Sequence, residues 1–211
     1  AAKRRRASHG RIDIRRTLRA SMSTGGVPIE PVFTHHAPNR SELVILADMS
    51  SSVAGFSRFT ILLMQAMQAQ FARVRVFGFV NTVDELTAVV KEVGRDGDLV
   101  EALKGNRRMT RGHRNSDYGQ TFADFVEHHL DAVTPRATVL ILGDARTNNT
   151  DPRHDALRTI AQQARHAMWL NPEAESQWGQ GDSVAHRYAA IVDMHEVRTI
   201  TDLREFVARA L

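Results

Sequence analysis

The chain has 211 residues, 42% apolar and 25% charged, with a net charge of +4 and no cysteine. That length and balance describe a globular chain with one substantial core plus extras, and no apolar run approaches the roughly 18 residues of a membrane span. The missing cysteines exclude disulfides, cysteine–zinc sites, iron–sulfur clusters and thiol catalysis, and they fit a reducing compartment, so a cytoplasmic location is expected.

The charge is uneven along the chain. Residues 1–40 carry nine Lys or Arg (Lys3, Arg4, Arg5, Arg6, Arg11, Arg15, Arg16, Arg19, Arg40) against Asp13 and Glu30, a balance of +7, while the remaining 171 residues carry −3. The expected organisation is a basic N-terminal arm and linker over 1–41, followed by a slightly acidic domain over 42–211. The chain opens on Ala1, not Met, and no charged–apolar–small leader pattern starts it. Residues 1–8 are a charge run and are expected to be disordered. Residues 10–22 place Ile14, Leu18 and Met22 four apart, which predicts a short helix. Ser23-Thr24-Gly25-Gly26-Val27-Pro28 breaks it, and 29–38, with its prolines, reads as an extended lead-in.

The run 43–47, Leu-Val-Ile-Leu-Ala, is apolar throughout and predicts a strand buried on both faces. A helix is predicted over 57–72 and a second strand over 74–80, with 83–90 as an edge strand paired to it. Helices are expected over 98–103 and 121–130, then a strand over 138–142 and a helix over 153–167. Strands at 168–170 and 189–192 and a closing helix over 202–211 complete the chain. Strands alternating with helices of this length argue an α/β fold, a doubly wound, mostly parallel sheet with helices on both faces.

Asp48-Met49-Ser50-Ser51-Ser52 follows the first buried strand directly. A carboxylate and two hydroxyls at i, i+2 and i+4 converge where open α/β sheets bind ligands, beyond the carboxyl ends of the strands. Two later loops add oxygens. Asn115-Ser116-Asp117-Tyr118-Gly119 precedes a helix, and Asp144 ends the strand 138–142. Oxygen-only ligation suits Mg²⁺, Mn²⁺ or Ca²⁺. In the second loop Ser116 is the candidate ligand, with Asp117 either its rival or the N-cap of the following helix.

These three loops, in this order and behind these elements, resemble the metal-ion-dependent adhesion site of von Willebrand factor A domains, and the resemblance covers roughly residues 42–211. It implies a Rossmann-like fold and a metal site formed by Asp48, Ser50, Ser52, Ser116 and Asp144. Mg²⁺ is the expected ion, with Mn²⁺ or Ca²⁺ as alternatives. Ser50 and Ser52 would bind directly, and Asp48 and Asp144 directly or through water. A coordination position left open would accept a carboxylate from a partner protein, which is recognition and not catalysis. Three residues depart from the family pattern. Ser51 replaces a Gly, Ser116 a Thr, and Ala145 a Gly whose absence matters only if φ is positive there.

The tail narrows the resemblance. Trp169-Leu170-Asn171-Pro172-Glu173, Gln177-Trp178-Gly179, Gly181-Asp182-Ser183 and Tyr188-Ala189, with the 10–21 segment and Gly25-Gly26, look like the bacterial CoxE-like group. That group implies a MoxR-type AAA+ ATPase partner and a chaperone-like role in maturing a metalloenzyme or another complex. No phosphate-binding Gly-rich loop is present, so the chain itself is not expected to hydrolyse ATP. Two other readings remain. The basic arm could bind nucleic acid, although aromatic residues for base stacking are missing until Phe33. Alternatively, the metal could activate water in a hydrolase, but no general base stands out beside Asp48 and Asp144. Trp169 reads as a core strand residue, Trp178 equally as packing or partner contact, and His128-His129 as solvated.

Overall fold

The computed structural model describes residues 11–12, 33–34, 39–50, 63, 71–93 and 116–210. The chain divides into two units, Ala1–Asn39 and Arg40–Leu211. In the first, β1 (Arg11–Ile12) pairs antiparallel with β2 (Phe33–Thr34), Arg11 opposite Thr34. Arg11 and Ile12 are therefore extended and not the start of the expected helix over 10–22, because a partner some twenty residues away supplies their hydrogen bonds. The rest of that predicted helix lies outside the described residues, as do the 98–103 helix and most of the 57–72 one.

The second unit is built on a six-stranded sheet. Its strands are β3 (Asn39–Asp48), β4 (Phe71–Phe79), β5 (Val83–Glu85), β6 (Ala137–Leu142), β7 (His166–Asn171) and β8 (Asp193–Glu196), in the spatial order β5-β4-β3-β6-β7-β8. The β3–β6, β6–β7 and β7–β8 pairs are parallel, and β5 is an antiparallel edge on β4. Side chains alternate cleanly across this sheet, as a period of two requires. On one face Val44, Leu46, Phe77, Phe79, Val139, Ile141 and Trp169 meet helices α2 (Tyr118–His128), α3 (His154–Gln163) and α4 (Ala185–Ala189). On the other, Leu43, Ile45, Ala47, Leu140, Leu142, Met168 and Leu170 meet Leu63, α1 (Thr87–Val93) and α5 (Ile200–Ala210). The continuous apolar runs of β3 and β6 follow from this double burial.

Four predicted boundaries are corrected. Phe71 and Ala72 belong to β4, not to a helix. The edge strand ends at Glu85, and Thr87 onward is helical. Leu86 and Val90, four apart, both turn into the core, and the Thr87 hydroxyl accepts the Val76 N–H at 2.9 Å, so burial on a helical face overrides the β-preference of the valines. The helix predicted over 153–167 stops at Gln163, because Arg165 N–H already bonds Ala137 O (2.8 Å) and His166 pairs opposite Thr138. Residues 189–192 are not a strand. Ala189 closes α4, and the Val192 N–H bonds Tyr188 O (3.0 Å) in the turn after it. The strand is the polar Asp193–Glu196, whose edge position needs no continuous apolar run.

Candidate functional site

Parallel pairing of β3 with β6 sets Ala47 opposite Leu142, so Asp48 and Asp144 leave the sheet side by side at its carboxyl end. The loop before α2 comes in beside them, with the Asp117 N–H bonded to Val80 O (3.0 Å). Asp48 is buried and accepts hydrogen bonds on both oxygens. Its Oδ1 accepts the Ser50 N–H at 2.8 Å, and the Ser116 hydroxyl lies 2.7 and 2.8 Å from its two oxygens. The Tyr118 hydroxyl donates to Asp48 Oδ2 at 2.7 Å and stands 3.3 Å from Asp144 Oδ1. Asp144 Oδ1 also accepts the Arg146 N–H at 2.9 Å.

Asp48, Ser50 and Ser116 thus form one hydrogen-bonded cluster, and Tyr118 links it to Asp144. Ser52 lies outside the described residues. Asp117 takes the other role left open for it. Its carboxylate accepts the Gln120 N–H (2.9 Å) as the N-cap of α2, leaving Ser116 to face Asp48. Ala145 has φ 61°, the left-handed conformation that a glycine would adopt freely. Its methyl is fully buried in the core, and burying one carbon is worth about 0.8 kcal/mol, which offsets much of the strain.

Burial is the main reason the Asp48 carboxyl pKa lies above its usual range, with hydrogen bonds from Ser50, Tyr118 and Ser116 opposing the rise. Burial also lifts Asp144 to about 6, helped by the charges of Asp48 and Glu173 and opposed by the Arg146 amide. Tyr118 is pushed well above its ordinary value by burial and by both aspartates, so it stays a donor at neutral pH. Two carboxylates that burial and mutual repulsion make reluctant to ionise are a pair a cation would relieve. Among the described residues no group of three or more His, Cys, Asp or Glu is placed to hold a metal ion by itself. Two carboxylates with serine hydroxyls form an all-oxygen donor set, and it fits a hard divalent cation.

A pH dependence follows for the metal-free protein. Asp144 has a folded pKa of about 6 against an ordinary 3.8, so its protonated form favours folding. That contribution is complete below about pH 3.8 and is lost as pH rises through 6, a loss of about 1–3 kcal/mol. Denaturant unfolding in EDTA should show lower stability at pH 7.5 than at pH 5 from this source, and saturating Mg²⁺ should reverse the difference. Equal slopes with and without Mg²⁺ would contradict the assignment.

The third loop is tied down by the tail. Arg146 forms a two-pronged ion pair with Glu173 (2.7 and 3.1 Å) and a second pair with Asp182 (2.8 Å). The other Asp182 oxygen accepts the Asn148 N–H, and the Asn148 side chain donates to Ser116 O at 2.9 Å. Buried Asn171 donates to Asp144 O (3.2 Å) while its own oxygen takes the Glu173 N–H. Hydrogen bonds therefore tie loops two and three to the tail. Replacing Arg146→Met should cost about 1.5–3 kcal/mol by denaturant unfolding, because charge-assisted bonds to two partly buried acids are lost. A loss below 0.5 kcal/mol would mean that solvent screens the clamp.

Sequence reasoning passed over Tyr118, Arg146 and Asn171. Tyr118 stood within the loop considered, but no local pattern tells whether an aromatic at the first turn of a helix points into a site. Trp169 is fully buried with its indole N–H on Gly143 O (2.8 Å), as expected of a core residue. Trp178 also packs, and its N–H bonds Glu173 O at 3.2 Å. His129 is half-buried beside Phe77 (ring centroids 5.2 Å apart), unlike the solvated position expected, whereas His128 is exposed.

Solved structures share the fold at low identity. Proximal thread matrix protein 1 from the mussel byssus matches at 14% identity and TM-score 0.53, over 80% of this chain and 46% of that one. A second structure of the mussel protein, with a zinc-occupied MIDAS motif, matches at 13% identity and TM-score 0.51, over 80% of this chain and 46% of that one. An aerotolerance-related membrane protein from Bacteroides fragilis matches at 11% identity and TM-score 0.50, over 80% of this chain and 96% of that one. The chain thus spans under half of the mussel protein and nearly all of the Bacteroides chain. No curated protein matches the sequence. The family model for the VWA domain containing CoxE-like protein matches residues 1–206, and with the six-stranded sheet and the three converging loops this places the chain in that family.

Proposed function

We propose that this domain is a metal-dependent adaptor, in which a divalent cation held by Asp48, Ser50, Ser52, Ser116 and Asp144 captures an acidic side chain of a partner protein. The observation that carries the reading is the convergence of Asp48, Ser50, Ser116 and Asp144 at the carboxyl ends of two adjacent parallel strands. The zinc-occupied motif of the mussel protein supports occupancy of this kind of site by a divalent metal. Mg²⁺ is the ion proposed, with Mn²⁺ or Ca²⁺ as substitutes, because carboxylate and hydroxyl oxygens suit hard cations. When bound, the ion supplies a positive charge with an exchangeable position. The protein's own residues hold the two carboxylates side by side and keep Asp48 buried.

The partner class proposed is a MoxR-type AAA+ ATPase, acting with this chain in the cytoplasm on a metalloenzyme or another client complex. Membership of the CoxE-like family supports this. The role is binding, not catalysis. The basic segment 1–41 is proposed as an arm separate from the domain 42–211, adding salt-sensitive attraction to the partner. No helix among the described residues is long and apolar enough to cross a membrane.

The test is affinity capture on the immobilised chain from a lysate of its source, in Mg²⁺ and in EDTA, with the retained proteins identified. An AAA+ ATPase retained in Mg²⁺ and released by EDTA supports the reading. Identical eluates defeat it, and retention abolished by nuclease would favour nucleic-acid binding by the arm. Metal-dependent turnover of a small ester or phosphate substrate without a partner would favour a hydrolase.

A further inference from the structure

The feature of the site that the metal-ligand pattern does not account for is Tyr118. Its phenol oxygen lies within hydrogen-bond reach of both aspartates, 2.7 Å from Asp48 Oδ2 and 3.3 Å from Asp144 Oδ1. The ring is wholly buried and surrounded by Phe79, Trp169, Phe122 and Tyr188, with centroids 5.3, 5.5, 6.2 and 6.4 Å away. Four aromatic neighbours leave it no other rotamer without opening the core, so the oxygen is fixed from the interior. The backbone above it is cleared for the purpose. A Cβ on Gly143 would overlap the phenol oxygen and press on the Asp48 Cβ, so glycine is the residue that admits a tyrosine hydroxyl between the two strand ends.

We propose that Tyr118 is a positioning residue for the metal site: anchored in the core, its hydroxyl holds the Asp48 carboxylate and faces that of Asp144, setting both for one divalent cation. The inference rests on the metal-site reading above. It assigns a role to a side chain that does not itself ligate. The Ser116 hydroxyl has one hydrogen for the two Asp48 oxygens. If that hydroxyl turns its oxygen to a cation, Tyr118, which is not itself a ligand, still donates to Asp48 Oδ2 and keeps it oriented. On Asp144, Oδ1 faces Tyr118 and the Arg146 N–H, while no hydrogen bond from the described residues reaches Oδ2. One oxygen is thereby held back and the other is left to bind. Partners of this kind, behind the ligands, typically govern 10- to 100-fold of metal affinity.

The experiment compares Tyr118→Phe with Tyr188→Phe by Mn²⁺ titration, counting free Mn²⁺ by electron paramagnetic resonance, alongside melting temperatures in EDTA. Both variants lose one phenol hydroxyl from the same aromatic stack. Among the described residues the Tyr188 hydroxyl bonds Pro152 O (2.8 Å) and neither Asp48 nor Asp144. Tyr118→Phe should weaken Mn²⁺ binding about tenfold or more, and Tyr188→Phe should leave it at the wild-type value whatever its effect on melting. Gly143→Ala, whose Cβ displaces the same hydroxyl and also presses on Asp48, should lose at least as much affinity as Tyr118→Phe. Wild-type affinity in Tyr118→Phe, or an equal loss in Tyr188→Phe, overturns the role of Tyr118 while leaving the metal site standing. Wild-type protein that takes up no Mn²⁺ at millimolar concentration overturns both.

Discussion

Asp48→Ala should abolish divalent-metal binding and, with it, capture of the partner. In the adaptor reading the cation is the counter-charge for a carboxylate that the partner buries on docking. Without it, that carboxylate faces Asp144 across a desolvated contact, a loss of about 2–5 kcal/mol, or some 30- to several-thousand-fold in affinity. The fold should survive. Removing Asp48 relieves its repulsion with Asp144 and removes a buried carboxylate, while it takes the acceptor from the Ser50 amide and the Ser116 hydroxyl and leaves the Tyr118 hydroxyl with Asp144. An unsatisfied buried donor costs about 1–3 kcal/mol, so the two effects oppose each other. Asp48→Asn removes the charge and keeps one acceptor oxygen for the Ser50 amide and the Ser116 hydroxyl, while its new N–H₂ can donate to the Tyr118 hydroxyl, which then turns its own hydrogen to Asp144. It should melt near the wild type in EDTA and yet fail to bind Mg²⁺ by titration calorimetry. A folded Asp48→Asn protein that still captures the partner in a Mg²⁺-dependent manner would defeat the adaptor account.

Trp169→Ala should be the most destabilising single truncation in the core. The indole is fully buried on the inner strand β7, stacked on Tyr188 (5.1 Å, 22°) and within 6.0 Å of both Tyr118 and Phe122. Cutting a buried tryptophan to alanine costs about 3–5 kcal/mol through lost transfer energy and the cavity left behind. Here the Gly143 carbonyl also loses its indole partner. For a domain of this size the melting temperature should fall by roughly 6–20 °C, at about 2–4 °C per kcal/mol. The loss should reach the site, since the cavity opens beneath Tyr118 and removes the wall that fixes its hydroxyl. Trp178→Ala, at the margin of the same cluster and 7% exposed, should cost less. Comparable stability losses for the two tryptophans, measured by denaturant unfolding, would show that the stack is not the keystone of this face.

The metal reading and the fold reading were legible to different degrees. Strands buried on both faces announce themselves, because no alternation is possible when helices cover both sides. That is why 43–47 and 138–142 fell within β3 and β6. The edge strand β5 was legible at its start and in its pairing with β4, but the edge strand β8 was not. Asp193–Glu196 is polar and half-exposed, and the more apolar stretch before it drew the assignment to 189–192. Likewise Val89 and Val90 favoured a strand locally, and only packing against β4 makes them helical.

By itself, the sequence determined the α/β class and the order of the elements that carry the three loops, because buried strands, helix starts and oxygen-bearing side chains are local properties. It also placed Asp48, Ser50, Ser116 and Asp144 in those loops. Only the tertiary structure decided that Asp117 caps a helix while Ser116 faces Asp48, and that Ala145 takes a left-handed conformation. It alone put Tyr118 between two aspartates 70 and 26 residues away, and it tied Arg146 to Glu173 and Asp182. The reason is physical. Register between parallel strands and packing beneath them set which way a side chain points, and both depend on residues that the local sequence does not contain.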